Sequence, residues 1–304
     1  MRKSPIPAAE RRLQASERPR PVGKSRGQHF LIDTEVADRI FSALELKPSD
    51  TIVEVGPGGG ALTRSLVKLA GNVIAIEIDP HLVLSLRLRL RDYPNLSIIT
   101  QDARTVHLGE ILEGEVTYKM VGNLPYYAAL PILRRFLESE ELKPTIMVFM
   151  VQEEVARSMV AEDGRMSLLS VGIQSYGEPR IICTVPPGSF RPSPKVSSAV
   201  VSLNPRRHPA IDFEHVDEFF SVVRAGFFAP RKQIRNSLSR GMSLPPEEAG
   251  RLLEEAGVNP GSRPANLSIS DWWTLYQVGR EKWPLGSQSL RQNKSDAGGP
   301  GSSF

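Results

Sequence analysis

The sequence predicts an α/β protein with a doubly wound, mostly parallel sheet and a small all-helical C-terminal domain. Three observations lead to this prediction. Short apolar runs, such as residues 51–55 and 73–78, alternate with segments whose apolar residues recur at helical spacing. Continuously apolar strands are typical of a parallel sheet that is covered on both faces. Beyond residue 212 the strand pattern stops and only the helical spacing continues.

The elements of the sheet follow one another along the chain. Asp33 and Pro80 suit helix starts, because a carboxylate caps free N–H groups and proline fits the first turn. No long helix separates the last two apolar runs, so we predict that they pair as an antiparallel hairpin at the sheet edge. The predicted strands are 51–55, 73–78, 97–100, 119–122, 145–151, 181–185 and 196–203. One predicted helix, 33–44, precedes the first strand, and three more, near 62–69, 80–90 and 131–138, lie between the first five strands.

Composition sets the predicted domain boundaries. Residues 1–22 are rich in Pro, Ala, Arg and Glu and predict a disordered basic tail. Residues 285–304 are polar and rich in Gly and Ser, which predicts a second disordered tail. Between the tails we predict a sheet domain over 23–205 and a helical domain over 206–284. The helical signals in the latter cover 216–223, 231–239, 247–255 and 270–276.

Several protein classes are excluded by composition. The longest uncharged apolar run, residues 145–151, is far shorter than the roughly 20 residues that a membrane helix needs. Cys183 is the only cysteine, so an intrachain disulfide is impossible, and we expect a reducing cytoplasm. We further expect no membrane association, no metal and a monomeric protein.

The net charge of +4 is unevenly distributed. Residues 1–26 carry +6, so the rest of the chain carries −2 and a nucleic-acid surface must be a local patch. Residues 222–240 provide such a patch, with five basic residues and no acidic one. The alternative for residues 222–240 is a solvated helix face that binds nothing. The basic tail, residues 1–22, is either an electrostatic tether to RNA or an extension with no role. The basic residues of the patch are Arg224, Arg231, Lys232, Arg235 and Arg240.

A glycine-rich turn follows the first strand of the sheet, at residues 54–60 (EVGPGGG). Glycines, among them Gly56 and Gly58, allow a tight turn and a close approach of a ligand to the backbone. In open α/β sheets ligands bind at the carboxyl ends of the strands. Alone, this turn is compatible with NAD, another nucleotide, S-adenosylmethionine or no ligand.

Two carboxylates end the next two strands. Glu77 lies 21 residues after Gly56, where an acidic side chain can accept hydrogen bonds from both ribose hydroxyls of a nucleotide. Asp102 ends the third strand and is placed to accept from an adenine amino group. The alternative is that both residues cap the following helices, with Asp79 as a competing cap beside Glu77.

The segment Asn123-Leu124-Pro125-Tyr126 follows the fourth strand and resembles the catalytic signature of methyltransferases that act on exocyclic amines of nucleobases. The adenine N6 amine is a poor nucleophile, because its lone pair is delocalised into the ring. The Asn123 side chain and the Leu124 backbone carbonyl can accept its hydrogens, Pro125 stiffens the loop, and Tyr126 can stack on a flipped base. The alternative is a surface turn, which the position after the strand and the two carboxylates disfavour.

Two further segments agree with this interpretation. Before the last strand, Phe190 can stack on the base opposite Tyr126, and Lys195 can hold a phosphate. A proline-rich loop that simply leads into an edge strand is the structural alternative. Near the start, residues 24–31 are interpreted as a segment that folds over the cofactor, with Phe30 and Leu31 as apolar anchors.

Taken together, these segments resemble the KsgA family (also called RsmA) of small-subunit rRNA adenine dimethyltransferases. The resemblance covers most of residues 24–284 and implies a class I methyltransferase (Rossmann-like) fold. It implies cofactor contacts for Gln28, His29, Leu31, Gly56, Glu77, Asp102 and Asn123. It also implies methylation of two adjacent adenosines near the 3′ end of 16S rRNA in the assembling 30S particle. The matching segments are GQHFL (27–31), EVGPGGGALT (54–63), EID (77–79), QDA (101–103), GNLPYY (122–127), FRPSPKVSSAVV (190–201) and FFAPRKQIRNSL (227–238).

The sequence departs from the family's pattern at three places. His29 replaces the asparagine of many relatives, and both side chains form hydrogen bonds. Residues 127–130 are less polar than the family's segment after the motif, which affects the width of the pocket. Ala229 replaces a common glutamine in the helical domain.

Three other functions remain as alternatives. An Erm-type enzyme would act on 23S rRNA, but the NLPY, FRPSPKV and RKQIRNSL segments favour the small-subunit enzyme. A ribosome assembly factor without turnover would not need Asn123, Tyr126 and the glycine turn. A DNA adenine methyltransferase is disfavoured because no separate target-recognition domain is evident.

Overall fold

The computed structural model describes residues 29–112, 114, 117–124, 128–138, 142–206, 215–280 and 282. Its strands are β1 (Phe30–Leu31), β2 (Thr51–Val55), β3 (Asn72–Glu77), β4 (Leu96–Thr100), β5 (Lys119–Asn123), β6 (Met147–Gln152), β7 (Gly177–Val185), β8 (Phe190–Arg191) and β9 (Ser198–Pro205). Its helices are α1 (Thr34–Leu44), α2 (Thr63–Leu69), α3 (Pro80–Arg89), α4 (Leu108–Ile111), α5 (Ala129–Leu137), α6 (Glu153–Met159), α7 (Leu168–Gln174), α8 (Val216–Gly226), α9 (Ile234–Met242), α10 (Pro246–Glu255) and α11 (Ile269–Arg280).

The main sheet has seven strands in the order β4-β3-β2-β5-β6-β9-β7. The first five strands are parallel, and β9 runs antiparallel to both β6 and β7. The predicted α/β class, the mostly parallel sheet and the antiparallel pairing of the last two strands are therefore confirmed. The strand order reverses between β2 and β5, which is where ligands bind in sheets of this kind.

Local sequence explains the element starts that position the site. The Asp33 carboxylate accepts from the N–H groups of Glu35 and Val36, at 3.0 and 3.3 Å, and so begins α1. Asp79 accepts from the His81 N–H at 2.9 Å, and Pro80 occupies the first turn of α3. These caps fix the directions in which the two helices leave the sheet.

The two faces of the sheet are covered by separate apolar clusters. The smaller cluster includes residues of α1, α2 and β8. The larger one contains Met147 and Phe149 of the sheet as well as Phe219 and Trp272 of the C-terminal helices. Trp272 is fully buried, as expected of a core residue. The helical region thus shares a continuous core with one face of the sheet.

Several elements were not predicted. The helices α6 and α7 lie between β6 and β7, and each has only seven residues, which is too short for a clear apolar period. The two-residue strands β1 and β8 form a small antiparallel sheet that no local pattern can reveal. Helix α9 begins at Ile234, later than predicted, because Arg231 and Lys232 form a turn in which the Lys232 N–H donates to the Ala229 carbonyl.

The described residues contain neither a membrane-spanning helix nor a metal-binding cluster. Within the described ranges no helix is long and apolar enough to cross a bilayer. Among the same residues no cluster of His, Cys, Asp and Glu is arranged to hold a metal ion. Both predicted disordered tails lie outside the described part of the chain.

Candidate active site

A cavity of about 280 Å³ lies at the carboxyl ends of β2, β3, β4 and β5, on both sides of the point where the strand order reverses. Its position follows the general rule for open α/β sheets. Most of the site residues predicted from sequence that the structure describes contribute to its wall. These are His29, Leu31, Gly56, Gly58, Glu77, Asp102, Asn123 and Leu124.

The glycine turn forms one side of the cavity. Gly58 has a φ of +52°, a conformation that side chains with a Cβ adopt rarely. A Cβ added there would also lie 3.0 Å from Cε1 of Phe30, whose ring covers the turn. Gly60 has a φ of +77°, and a Cβ there would lie 2.6 Å from Leu86. The turn therefore needs glycine at both positions, because their φ angles are positive and because the Phe30 and Leu86 side chains lie too close for a Cβ atom.

Glu77 ends β3 beside this turn and is buried. Its two carboxylate oxygens accept from the N–H of Gly58, at 3.1 Å, and from the N–H of Asp79, at 3.0 Å. Asp79, and not Glu77, caps the following helix. A carboxylate has about four acceptor positions, so Glu77 keeps the capacity to accept from a ligand in the cavity.

Asp102 lies on the opposite wall and is paired with Arg104. The carboxylate accepts from the backbone N–H of Arg104 at 2.9 Å and from its guanidinium at 2.5 Å. These contacts keep the pKa of Asp102 below its ordinary value. Asp102 thus orders the turn after β4 and faces the cavity, but it does not cap the following helix, whose N-cap position is His107. A ligand that donates to Asp102 must share it with Arg104.

Glu54, in the middle of the apolar strand β2, is a cavity residue that sequence analysis missed. Its side chain is 2% exposed, and its Oε2 atom has no hydrogen-bond partner among the described residues. Burial raises the pKa of Glu54 to about 7, the nearby Thr63 hydroxyl lowers it, and the Glu77 carboxylate raises it. A buried carboxylate oxygen without a partner suits a cationic group in the cavity. The available signal was an acidic residue inside an otherwise apolar strand.

Asn123 ends β5 at the centre of the site. Its Nδ2 atom donates to the backbone carbonyl of His29 at 2.9 Å. Because the nitrogen is held in this way, the orientation of the amide is fixed and Oδ1 is the acceptor atom. The Leu124 N–H donates to the Met150 carbonyl at 3.2 Å, which anchors the start of the following loop to β6. Pro125 and Tyr126 lie outside the described residues, as does Gln28.

Residues 29–31, the described part of the segment that was predicted to fold over a cofactor, form a further wall. Phe30 and Leu31 pair with β8, and Nδ1 of His29 lies 2.7 Å from the carbonyl oxygen of Pro192, 163 positions along the chain. His29 in turn accepts the hydrogen bond of Asn123 through its backbone. Two distant parts of the chain therefore hold the catalytic candidate in place.

The structure corrects the role expected of Phe190. Its side chain is 2% exposed and packs in the smaller apolar cluster, away from the cavity wall. The pairing of β8 with β1 turns Phe190 inward and Arg191 outward. The expectation that Phe190 stacks on a base is therefore wrong for this conformation. Lys195 is exposed on the following loop and does not line the cavity.

The predicted basic patch lies on the C-terminal helices. Arg224, Arg231, Lys232 and Arg235 are all exposed. Arg134 of α5, the helix that follows the Asn123 segment, lies over the ring of Phe220, one helical turn before Arg224 on α8. Partial burial and the positive charge of Arg134 lower the pKa of Arg224. The patch is therefore continuous with the helix that leaves the candidate active site.

Arg134 itself is held in place at the junction with the C-terminal helices. It donates to Glu138 at 2.7 Å, and its guanidinium lies over the ring of Phe220 at 5.5 Å. Tyr176 donates to the same Glu138 at 2.5 Å. These contacts connect α5 to both the sheet and the helical region.

Comparison with known proteins gives a consistent result. The chain matches the family described as "Ribosomal RNA adenine dimethylase" over residues 22–280. It is 43% identical to Ribosomal RNA small subunit methyltransferase A of Dehalococcoides mccartyi, over 84% of this chain and 87% of that protein. It is 41% identical to the protein of the same name from Pelotomaculum thermopropionicum, over 83% and 89% of the two chains.

Solved structures support the fold. A dimethyladenosine transferase from Plasmodium falciparum is similar with a TM-score of 0.71 and 26% identity, over 84% of this chain and 98% of that one. The 23S rRNA methyltransferase ErmE is similar with a TM-score of 0.64 and 30% identity, over 82% and 98% of the two chains. The chain has the class I methyltransferase fold, and it belongs to the ribosomal RNA adenine dimethylase family.

Proposed function

We propose that this chain transfers methyl groups from S-adenosylmethionine to N6 of two adjacent adenosines near the 3′ end of 16S rRNA. The proposed substrate is the assembling 30S particle, and the enzyme acts as a cytoplasmic monomer. One observation carries the proposal: the oriented Asn123 amide lies on the wall of a cavity that also contains the glycine turn, Glu77 and Asp102. The names of the relatives favour the small ribosomal subunit over the large one.

The cavity residues suit the parts of S-adenosylmethionine, which supplies an activated methyl group on a sulfonium. Glu77 accepts from the ribose hydroxyls and Asp102 from the adenine amine. Glu54 is a buried carboxylate with an unpartnered oxygen within the described residues, and it suits the positive charge of the cofactor. The remaining proposed contacts come from Gln28, His29, Leu31, Gly56, Gly58 and Asn123.

Asn123 and the loop after it act on the target base. Oδ1 of Asn123 and the backbone carbonyl of Leu124 accept the two N6 hydrogens, which increases the electron density on the nitrogen. Pro125 stiffens the loop, and Tyr126 stacks on the flipped adenine. No strong base is needed, since positioning and acceptor groups placed where positive charge develops lower the barrier.

The RNA-binding role falls on the exposed basic residues. Arg224, Arg231, Lys232 and Arg235 are proposed to contact phosphates, together with Lys195 on the loop before β9. Phosphate contacts orient an RNA without reading its sequence. Selectivity then depends on the shape of the RNA and on unpaired adenosines that can enter the cavity.

The test is methyl transfer from labelled S-adenosylmethionine to purified 30S particles that lack the modification, followed by mass spectrometry of digested nucleosides. We expect dimethyladenosine in the 30S reaction but not with 23S rRNA or duplex DNA. Asn123→Ala should lower kcat by about 10²–10³-fold, the usual effect of losing one oriented polar group in an active site. Asn204→Ala, at an exposed position of β9, is the matched control and should retain wild-type activity.

Cofactor binding measured by calorimetry separates catalysis from folding. Asn123→Ala should still bind S-adenosylmethionine, because Glu77 and Asp102 are unchanged, but more weakly than the wild type, because Asn123 is itself a proposed cofactor contact. Transfer to 23S rRNA alone would point to the Erm-type activity, to which the similarity with ErmE gives some support. Cofactor binding without transfer to any of these substrates would contradict the proposed activity.

A further inference from the structure

Phe228 is a large aromatic side chain that the fold leaves in solvent. It is 64% exposed, at the turn between α8 and α9. Its neighbour Phe227 points the other way and stacks on Trp272, with ring centroids 5.3 Å apart and an interplanar angle of 28°. Phe227 therefore packs in the core, whereas most of the Phe228 side chain remains in solvent.

The turn that carries Phe228 is ordered by its own hydrogen bonds. The Phe228 N–H donates to the Ala225 carbonyl at 3.1 Å, and the Ala229 N–H donates to Oγ of Ser237 at 2.8 Å. The Lys232 N–H closes the turn by donating to the Ala229 carbonyl at 2.9 Å. The backbone that carries the ring is thus ordered before any partner arrives, which reduces the entropy lost on binding.

Three exposed basic residues lie within four positions of Phe228 along the chain. Arg224 lies one helical turn before Phe228, and Arg231 and Lys232 follow on the same turn; all three are exposed. No acidic residue occurs between positions 222 and 240. Because Arg134 of α5 lies over the ring of Phe220, one helical turn before Arg224 on α8, this surface adjoins the helix that leaves the Asn123 segment.

We propose that Phe228 stacks on an unpaired nucleobase of the RNA substrate while Arg224, Arg231 and Lys232 hold the flanking phosphates. An aromatic face within a basic surface binds single-stranded nucleic acid, because every base offers a π-face and every linkage a negative charge. The inference rests on the proposed function for its RNA partner. It adds a contact outside the cavity, on a base other than the one that is methylated.

The test measures equilibrium binding of the full chain to protein-free 16S rRNA and to 30S particles over a range of salt concentrations. Phe228→Ala and Phe228→Leu should each weaken binding to both by about 5- to 150-fold, the range found when a stacking residue is removed. Phe228→Trp should bind like the wild type. The slope of log K against log salt should not change in any of the three variants, because no phosphate contact is lost.

Leu88→Ala is the matched control, since Leu88 is 66% exposed and lies between Arg87 and Arg89 on α3, outside the basic patch of residues 222–240. It should bind RNA like the wild type. Wild-type affinity of Phe228→Ala would overturn the inference, and so would a full recovery by leucine, which indicates a simple apolar contact. A loss seen with 30S particles but not with protein-free RNA would instead indicate a ribosomal protein as the partner and would also overturn it.

RNA binding tests the stacking contact, whereas methyl transfer tests the proposed function, so the two can fail separately. If the wild type binds RNA but transfers no methyl group, the proposed activity fails while the stacking contact can still be measured. If the wild type transfers methyl groups and Phe228→Ala binds normally, only the stacking contact fails. A wild-type chain that binds no RNA would overturn both.

Discussion

Among the acidic residues that the structure describes, Glu54 is the most buried. It lies in β2 with 2% exposure, and one of its oxygens is unpartnered within the described residues. Removing a carboxylate from water favours its neutral form, and the pKa of Glu54 is accordingly raised from 4.5 to about 7. In the ligand-free protein, protonation of this group therefore changes within the neutral pH range.

This pKa predicts how stability depends on pH. Because the folded state binds the proton more tightly than the unfolded state, the stabilising contribution is complete below about pH 4.5 and is lost as the pH rises through about 7. Glu54→Gln stays neutral and should remove up to about 3 kcal/mol of this dependence. Urea unfolding of the ligand-free protein at pH 5 and pH 8 measures the difference.

The matched control for this prediction is Glu162→Gln, at an exposed position before α7. It should leave the pH dependence of unfolding as it is in the wild type. An equal pH dependence in the wild type and in Glu54→Gln would mean that the pKa of Glu54 is the same in the folded and unfolded states, and would contradict the prediction.

Single residues also show what the sequence can and cannot predict. Glu77, Asp102 and Asn123 were found because they directly follow apolar strands, and parallel strands bring their carboxyl ends to one edge. Glu54 was missed because the lack of a partner for a carboxylate depends on residues elsewhere in the chain. Phe190 was misassigned because its direction is set by pairing with β1, far away in sequence.

At the scale of elements, helix packing in the C-terminal region depends on one close approach. Gly226 ends α8, and a Cβ added there would lie 2.3 Å from Cη2 of Trp272 on α11. Trp272 is fully buried and cannot move aside without disturbing its neighbours. The packing of α11 against α8 therefore requires a residue without a side chain at position 226.

Gly226→Ala should destabilise the protein by about 1–3 kcal/mol, the usual effect of overpacking a core. Gly172→Ala is the matched control, because Gly172 is also in a helix but a Cβ there would meet nothing within 4 Å. That change should be neutral or should stabilise by up to about 1 kcal/mol, since alanine favours helix. Thermal unfolding of both variants decides the comparison, and equal effects would contradict it.

Elements with a long apolar period or a clear cap were predicted from sequence. The strands β2 and β3 and the helices α1 and α3 are of this kind, and each is specified by local chemistry. The short helices α6 and α7 were missed because seven residues give two turns at most. Their stability comes from packing on the sheet, which the sequence does not display.

On the scale of the whole molecule, the sign of the net charge is a poor guide to where RNA binds. The chain carries +4, yet the residues beyond the first 26 carry −2 in total. Binding beyond the first 26 residues must therefore depend on local charge, and residues 222–240, with five basic residues and no acidic one, provide such a local excess.

Replacing Arg231 and Lys232 together by alanine should make RNA binding less sensitive to salt. Each lost phosphate contact lowers the slope of log K against log salt by about 0.7–0.9. Lys68→Ala with Arg91→Ala removes the same net charge from exposed positions far from the patch and should leave the slope unchanged. Equal slopes for the two double variants would mean that total charge, and not its location, controls binding.

The pairing of β1 with β8 has a consequence for how the protein is made. One wall of the cavity, residues 29–31, is held by a segment that the ribosome synthesises about 160 residues later. A nascent chain that ends before position 190 already contains the glycine turn, Glu77, Asp102 and Asn123. It still lacks the strand that holds the wall, and β7 lacks β9, its neighbour in the sheet. The cofactor cavity is therefore completed only when nearly the whole sheet region has left the ribosome.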